Sequence, residues 1–328
     1  MGFHSTDISN KKFLVTGGAG FIGSHIAAYL LENGAGKVRV LDNMVNGFES
    51  NLAVLKVYPN FEFIQGDIRD LDTCQKACAG IDYVSHQAAL GSVPRSIKEP
   101  VYFNEVNVNG FVNMLKAAVD NNIQRFVYAS SSSVYGDEPT LPKLESRVGN
   151  CLSPYAATKK TNELYAQVFA DVYGLQTIGF RYFNIFGQRQ DPDGPYAAVI
   201  PLFVKGIMNR TPVYINGDGE QTRDFTFVDN AVQVNVKAML TENIDAVNKV
   251  YNVAVGENFS VNYLYEACRE QVGSDWAATY REPRAGDIRN SLADISMAKN
   301  LLGYMPTKKF EDGLKETISF FKELYTGN

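Results

Sequence analysis

At 328 residues the chain is long enough to bury a large core and to form two domains, or one domain with a substantial appendage. Its 45% hydrophobic and 20% charged content is that of a globular protein, and a net charge of −5 argues against a nucleic-acid or anionic-membrane partner while leaving room for a small phosphorylated ligand. No apolar run approaches the roughly 20 residues of a membrane span, and the scattered Cys74, Cys78, Cys151, Cys268, His4, His25 and His86 show no metal-ligand spacing, so no metal site is expected and a cytoplasmic location is the default.

The first residues, Met1 to Thr6, lack the apolar core of a secretory signal. Gly2 and Thr6 meet the loose myristoylation pattern, but only Lys11 and Lys12 lend basic support, and the segment reads as a disordered leader. Phe13-Leu14-Val15 then reads as a buried strand, followed by a helix carrying Ile26, Leu30 and Leu31 and ending near Gly34. Val38–Leu41, Phe61–Ile64, Tyr83–Ser85 and Phe126–Tyr128 are further runs of strand length, and Val108, Val112, Leu115 and Val119 mark a helix between the last two. A sixth strand, Thr177–Phe180, follows a helix that begins after Pro154. This alternation predicts an α/β fold, a Rossmann-type doubly wound parallel sheet.

From about Arg181 the rhythm changes, with Pro192, Pro195, Pro201 and Pro212 and the turn Asn216-Gly217-Asp218-Gly219. Helical patterns return around 229–240, 260–271 and 310–324. The expected division is a dinucleotide-binding domain over 1–181 and a smaller mixed α/β substrate domain over most of 182–328, with the chain free to cross back and extend the sheet. The cleft between them is the expected binding site.

The first strand runs into Gly17-Gly18-Ala19-Gly20-Phe21-Ile22-Gly23 and then straight into a helix. Gly17 suits a tight turn, Gly20 a close approach of pyrophosphate, and Gly23 close helix–strand packing, while the helix N-terminus offers unpaired N–H groups to phosphate. Asp42 ends the next strand about twenty residues on, where a carboxylate can accept from the adenosine ribose and repel a 2′-phosphate, which favours NAD over NADP. Asp67, at the end of the third strand, has two open readings: a contact to the adenine edge, or a helix N-cap.

The fifth strand ends in Ser130-Ser131-Ser132-Ser133, which puts hydroxyls at the crevice of the sheet. Later comes Ser153-Pro154-Tyr155-Ala156-Ala157-Thr158-Lys159, in which Tyr155 and Lys159 share a helix face. A phenol titrates near pH 10 and is a poor base at neutral pH, so a nearby ammonium and an oxidised nicotinamide are expected to lower its pKa.

These motifs together resemble the extended short-chain dehydrogenase/reductases that modify nucleotide sugars. The resemblance puts Ser131, Tyr155 and Lys159 at the catalytic triad positions. It is most specific for the UDP-sugar 4-epimerases, in the branch acting on UDP-N-acetylglucosamine, through His86-Gln87-Ala88-Ala89-Leu90-Gly91-Ser92-Val93-Pro94-Arg95-Ser96, Arg181-Tyr182-Phe183-Asn184, Gly217-Asp218-Gly219 and Arg223-Asp224-Phe225. It implies NAD contacts at Phe21, Ile22, Asn43, Asn46, Ile68, Gln87, Ala88, Ala89, Asn107 and Tyr182 besides the residues above. It implies sugar-nucleotide contacts at Gly91, Ser92, Ser132, Ser133, Asn184 and Val199, with Arg223 and Arg284 on the diphosphate and Asp287 on the uridine ribose.

Ser291 falls where a bulky residue would close the sugar pocket, so its small side chain implies room for a 2-acetamido group. The expected reaction interconverts UDP-GlcNAc and UDP-GalNAc through a 4-keto sugar, with NAD retained. UDP-glucose or a UDP-hexuronic acid as substrate remains open, as does a 4-reductase. A 4,6-dehydratase needs an acidic pair directly after the catalytic hydroxyl, where this chain has Ser132 and Ser133. A non-catalytic NAD sensor would not need the triad. The family also implies a homodimer through the helices around 100–120 and 155–173.

Overall fold

Strands that read as continuous apolar runs must be covered on both faces, and helices returning between them do the covering. In the computed structural model, which describes residues 2–193, 198–283 and 289–326, seven parallel strands form one sheet. They are β1 (Lys12–Thr16), β2 (Lys37–Asp42), β3 (Phe61–Gln65), β4 (Tyr83–His86), β5 (Arg125–Ser131), β6 (Thr177–Tyr182) and β7 (Lys249–Val253), in the order β7-β6-β5-β4-β1-β2-β3. The order reverses between β1 and β4, and such a switch point opens a crevice at the carboxyl ends of the strands.

Alternate strand residues feed two cores. Phe13, Val15 and Val127 join Ile26 and Leu30 of α1 (Phe21–Glu32) on one face. Leu14, Phe126 and Tyr128 join Phe111 and Leu115 of α2 (Gly110–Asp120) and Phe169 of α3 (Pro154–Tyr173) on the other. The apolar stripe expected at Val108, Val112, Leu115 and Val119 is displaced: Phe111, Met114, Leu115 and Ala118 are fully buried, while Val112 and Val119 only pack against the core. A π-helical turn at Glu105–Asn109 leads into this helix.

After β6 the chain serves both layers. α4 (Val228–Leu240) places Val232, Val236 and Met239 in the same core as α1, and β7 then pairs in register with β6, Tyr251 opposite Phe180. The outer layer is built from helices Val199–Asn209, Val261–Val272 and Phe310–Thr326 around Phe186, Phe203, Phe225, Leu264 and Phe310. Its strands are two or three residues long, in three separate pairs.

The expectation of a disordered leader is overturned. The Phe3 ring stacks on Tyr29 with centroids 4.9 Å apart, its N–H donates to the Tyr29 hydroxyl at 2.6 Å, and Ile8 is buried in the core beside α1. Two aromatic rings and one buried isoleucine suffice to dock the segment. Among the described residues no helix is long and apolar enough to cross a membrane, and no group of three His, Cys, Asp or Glu is placed to hold a metal ion.

Candidate active site

A cleft of about 690 Å³ follows the switch point. Its first wall is the glycine turn. Gly17 has φ +69°, and a Cβ there would lie 2.7 Å from the Ala88 nitrogen; a Cβ at Gly23 would lie 2.3 Å from the Gly17 oxygen. Only glycine lets turn, helix and the β4 exit loop approach this closely. Gly17, Gly20, Phe21, Ile22 and Gly23 line the cleft, as do Asp42, Asn43, Asn46, Ile68, Gln87, Ala88 and Ala89. The Asp42 carboxylate accepts from Ala19 N at 3.0 Å and Met44 N at 2.8 Å, so each oxygen keeps a free lone pair for a ribose hydroxyl. Burial raises its pKa, and those two backbone bonds partly offset the effect. This cradle fits an extended dinucleotide whose phosphates lie over glycine and whose ribose meets the carboxylate.

Of the two readings of Asp67, the structure overturns the helix N-cap, because Asp70 accepts from Asp72 N and Thr73 N at the start of helix Leu71–Cys78. The Asp67 carboxylate binds Asn43 Nδ2 at 2.9 Å and the Arg69 guanidinium, which holds its pKa down at about 2. It thus braces Asn43 at the rim. Asn107 is also a brace rather than a cleft contact: its amide exchanges two hydrogen bonds with the Leu90 backbone and donates to Thr158 Oγ1 at 3.1 Å.

The second wall holds the residues expected to carry the chemistry. Ser153 caps α3 by accepting from Ala156 N, Pro154 occupies the first turn, and Gly174 ends the helix at φ +69°. Tyr155 and Lys159 both reach the cleft, opposite Ser131 and Ser132 at the end of β5. The Tyr155 N–H is fixed by Ser96 Oγ at 3.1 Å, and Lys159 Nζ donates to the Ala129 carbonyl at 2.8 Å. Burial lowers the Lys159 pKa to about 8. Burial raises the pKa of the Tyr155 phenol and a hydrogen bond with Ser131 offsets part of this, so the protein alone does not supply the expected lowering, which also calls on the nicotinamide charge.

The four serines divide their labour. Ser133 does not line the cleft; its hydroxyl donates to Ser131 Oγ at 2.9 Å. Ser130 donates at 2.7 Å to Glu163, one helical turn beyond Lys159. Glu163 also makes a bidentate, fully buried pair with Arg181 of β6 at 2.9 Å, and although burial alone would raise its pKa, the guanidinium keeps it low. The catalytic helix is thereby clamped to both strands.

Tyr182 closes the floor, donating to Gln87 Oε1 at 3.2 Å and accepting from Asn235 of α4 at 2.7 Å. Gly91 and Ser92 stand at the mouth. Asn184, held at φ +36°, lines the cleft and a second pocket of about 320 Å³ that also takes in Val199 and Arg223. Ser291 lines neither cavity; its N–H donates to the Thr222 carbonyl at 3.1 Å, behind Arg223. Arg284 and Asp287 lie outside the described residues.

Sequence reasoning missed Tyr102, Gln190, Tyr214 and Asn216 among the lining residues, and Asn235 beneath them. Arg95 also lines the cleft and stood only within a quoted motif. Gln190 Oε1 is buried without a protein donor. None of these positions carries a local signal, since each is a common residue type whose place at the cleft is set by tertiary packing.

A family model described as the NAD dependent epimerase/dehydratase family matches residues 13–254. The UDP-glucose 4-epimerase of Mycolicibacterium smegmatis is 36% identical over 95% of this chain and 98% of its own. The solved UDP-N-acetylglucosamine 4-epimerase of Methanobrevibacter ruminantium, in complex with UDP-N-acetylmuramic acid, is 41% identical with a TM-score of 0.90, over 96% of this chain and 99% of that one. The UDP-glucuronic acid 4-epimerase of Bacillus cereus, solved with UDP-glucuronic acid and NAD, is 32% identical with a TM-score of 0.89, over 96% and 100%.

Proposed function

Because the chain belongs to the NAD dependent epimerase/dehydratase family, we propose that it is a UDP-sugar 4-epimerase whose substrate pair is UDP-GlcNAc and UDP-GalNAc. The observation that carries the reaction type is the all-hydroxyl wall beside Tyr155. Ser132 and Ser133 follow Ser131, so no carboxylate pair adjoins the catalytic hydroxyl to drive elimination of water. This favours epimerisation over the dehydratase chemistry that the family also includes.

When bound, NAD supplies the hydride acceptor for C4 and a positive ring charge beside the phenol. Tyr155 takes the proton of the 4-hydroxyl and later returns it. Ser131 shares the hydrogen bond to that oxygen, itself steadied by Ser133. Lys159, held on the Ala129 carbonyl, keeps a cation at the base of the phenol. Asn184 and Arg223 hold the nucleotide diphosphate in the second pocket, where the guanidinium suits a bidentate phosphate contact.

The acetamido preference rests on two supports: a relative at 41% identity binds a 2-acetamido sugar nucleotide, and Gln190, which lines the cleft, carries a side-chain oxygen that no protein donor uses. The glucose and glucuronate relatives keep those two sugars as the competing substrates.

A second copy of the chain is the partner proposed for α3. Leu164, Val168 and Val172 form an exposed apolar stripe on it, beside exposed Ile97 and Val101. Sedimentation at the mass of a monomer would remove the dimer.

Proton NMR of the protein with UDP-GlcNAc and no added cofactor tests the main reading. The galacto epimer should appear without net NADH. Turnover of UDP-glucose or UDP-glucuronic acid alone would keep the mechanism and discard the acetamido preference; no turnover of any would discard the epimerase.

A further inference from the structure

Asp224 is a buried carboxylate that the chemistry above leaves unused. It stands between Arg223 and Phe225, which both line the nucleotide pocket, but does not line it itself. Its side chain is 0% exposed. Oδ1 accepts from Val255 N at 3.0 Å; Oδ2 accepts from Gly256 N at 3.1 Å and Ala293 N at 3.4 Å. Its own carbonyl accepts from Asn184 Nδ2 at 3.1 Å. One residue therefore joins the loop leaving β7, the segment that passes behind Arg223, and the strained asparagine shared by both cavities.

Burying a carboxylate is costly unless its oxygens are fully used. Here burial pushes the Asp224 pKa up to about 7, the Glu257 charge adds to the effect, and the backbone donors work against it. An apolar residue would fill the same space without that cost, but would leave three buried N–H groups without an acceptor. Asn would serve fewer of them, having one acceptor oxygen in place of two.

The catalytic wall is secured elsewhere. Tyr155, Lys159 and Ser131 are fixed through Ser96, Ala129 and Ser133, none of which touches Asp224. Segment 289–293 has a separate tie: Lys143 N donates to Leu292 O and Asp294 N to Lys143 O, and Asn252 of β7 donates to the Lys143 and Asp294 carbonyls. Loss of Asp224 would accordingly loosen the nucleotide side and spare the hydride side.

We infer that Asp224 is a positioning residue for the nucleotide wall: by holding Val255, Gly256 and Ala293 it fixes the strand that presents Arg223, and through its carbonyl it fixes Asn184. This rests on the reading of the second pocket as the nucleotide site. Its consequence is a split between binding and turnover.

The experiment measures UDP affinity by calorimetry, and KM and kcat with whichever UDP-sugar the wild type turns over, for wild type and Asp224→Asn. The expected result is KM and the UDP dissociation constant raised about tenfold with kcat changed by less than about threefold, the size of one charge-assisted hydrogen bond lost. Unchanged KM and UDP affinity with a lowered melting temperature would mark Asp224 as merely structural and overturn the inference. Hydrogen exchange on the wild-type protein gives a readout that needs no variant. UDP should slow exchange at Val255, Gly256 and Ala293, and unaltered rates would overturn it too. A wild type that bound no UDP would overturn the nucleotide reading and the inference with it, whereas UDP binding that Asp224→Asn left intact would overturn the inference alone.

Discussion

The two walls of the cleft are built differently. The catalytic wall stands on the ends of a seven-residue buried strand and a twenty-residue helix that packs one face into the sheet core. The nucleotide wall stands on strands of two or three residues, held in place by side chains that reach loop backbone, such as Asp224 to Val255 and Asn184 to the Asp224 carbonyl. Regular elements satisfy their own backbone and need few polar side chains to aim a catalytic group. Irregular segments must borrow acceptors and donors from side chains, so single polar residues there carry more of the positioning. The first wall should thus lose chemistry when altered, and the second should lose affinity.

The largest separation is expected for Tyr155→Phe. Removing the proton-transfer hydroxyl should lower kcat by about a thousandfold, with UDP affinity unchanged by calorimetry. A loss of UDP affinity instead would mean that the walls are not independent. The next effect lies behind the catalytic wall. Glu163→Gln leaves Arg181 a buried charge with a weakened partner, and breaking such a pair costs about 3 to 5 kcal/mol. Urea denaturation should show that loss, and kcat should fall with it because Glu163 clamps α3 to β5 and β6. Stability within 1 kcal/mol of wild type, on the scale of an exposed pair, would show that the clamp is dispensable.

The same contrast explains what could be read in the sequence. Six of the seven sheet strands, the glycine turn, Asp42 and the Tyr155–Lys159 pair follow from apolar runs, turn chemistry and helical spacing, which are local properties. β7 was not legible as a sheet strand, because Val250-Tyr251-Asn252-Val253 sits far along the chain and its partner β6 is fixed only by the crossing over of α4. The partners of Asn107 (Leu90 and Thr158) and of Asp67 (Asn43 and Arg69) were not legible, since which neighbour an amide or a carboxylate binds depends on packing. Gln190, Asn235 and the braces of Asp224 depend on contacts between segments distant in sequence. Arg181 was legible as part of a motif, while its burial against Glu163 was not.

A smaller effect tests the electrostatics of the catalytic wall. Lys159 holds its proton only below about 8, because burial disfavours the ammonium. Turnover should therefore fall as pH rises through that value. Lys159→Arg, whose cation persists, should move this alkaline limb upward even if the maximal rate drops. The stability term has the opposite sense. The folded pKa lies below the unfolded one, so between about 8 and the ordinary lysine range the unfolded chain binds the extra proton, and stability gains as pH rises. An alkaline limb that stays in place in the arginine variant would assign it to another group.

The smallest effect is expected at Ser291, and it sharpens the contrast most. Sequence resemblance makes this serine the gate for the 2-acetamido group, yet its backbone is bound to Thr222 behind Arg223 and it lines neither cavity, whereas Gln190 does line the cleft. If selection works through contact, Ser291→Tyr should change the ratio of kcat/KM for UDP-GlcNAc over UDP-glucose by less than about threefold, while Gln190→Leu, which removes a buried acceptor, should change it by about tenfold. The two variants, assayed with both sugars, decide between a gate on the nucleotide wall and one in the cleft. A large effect of Ser291→Tyr would mean that segment 289–293 moves against the sugar during turnover. A short irregular segment could make such a movement more readily than the long strand and helix of the catalytic wall.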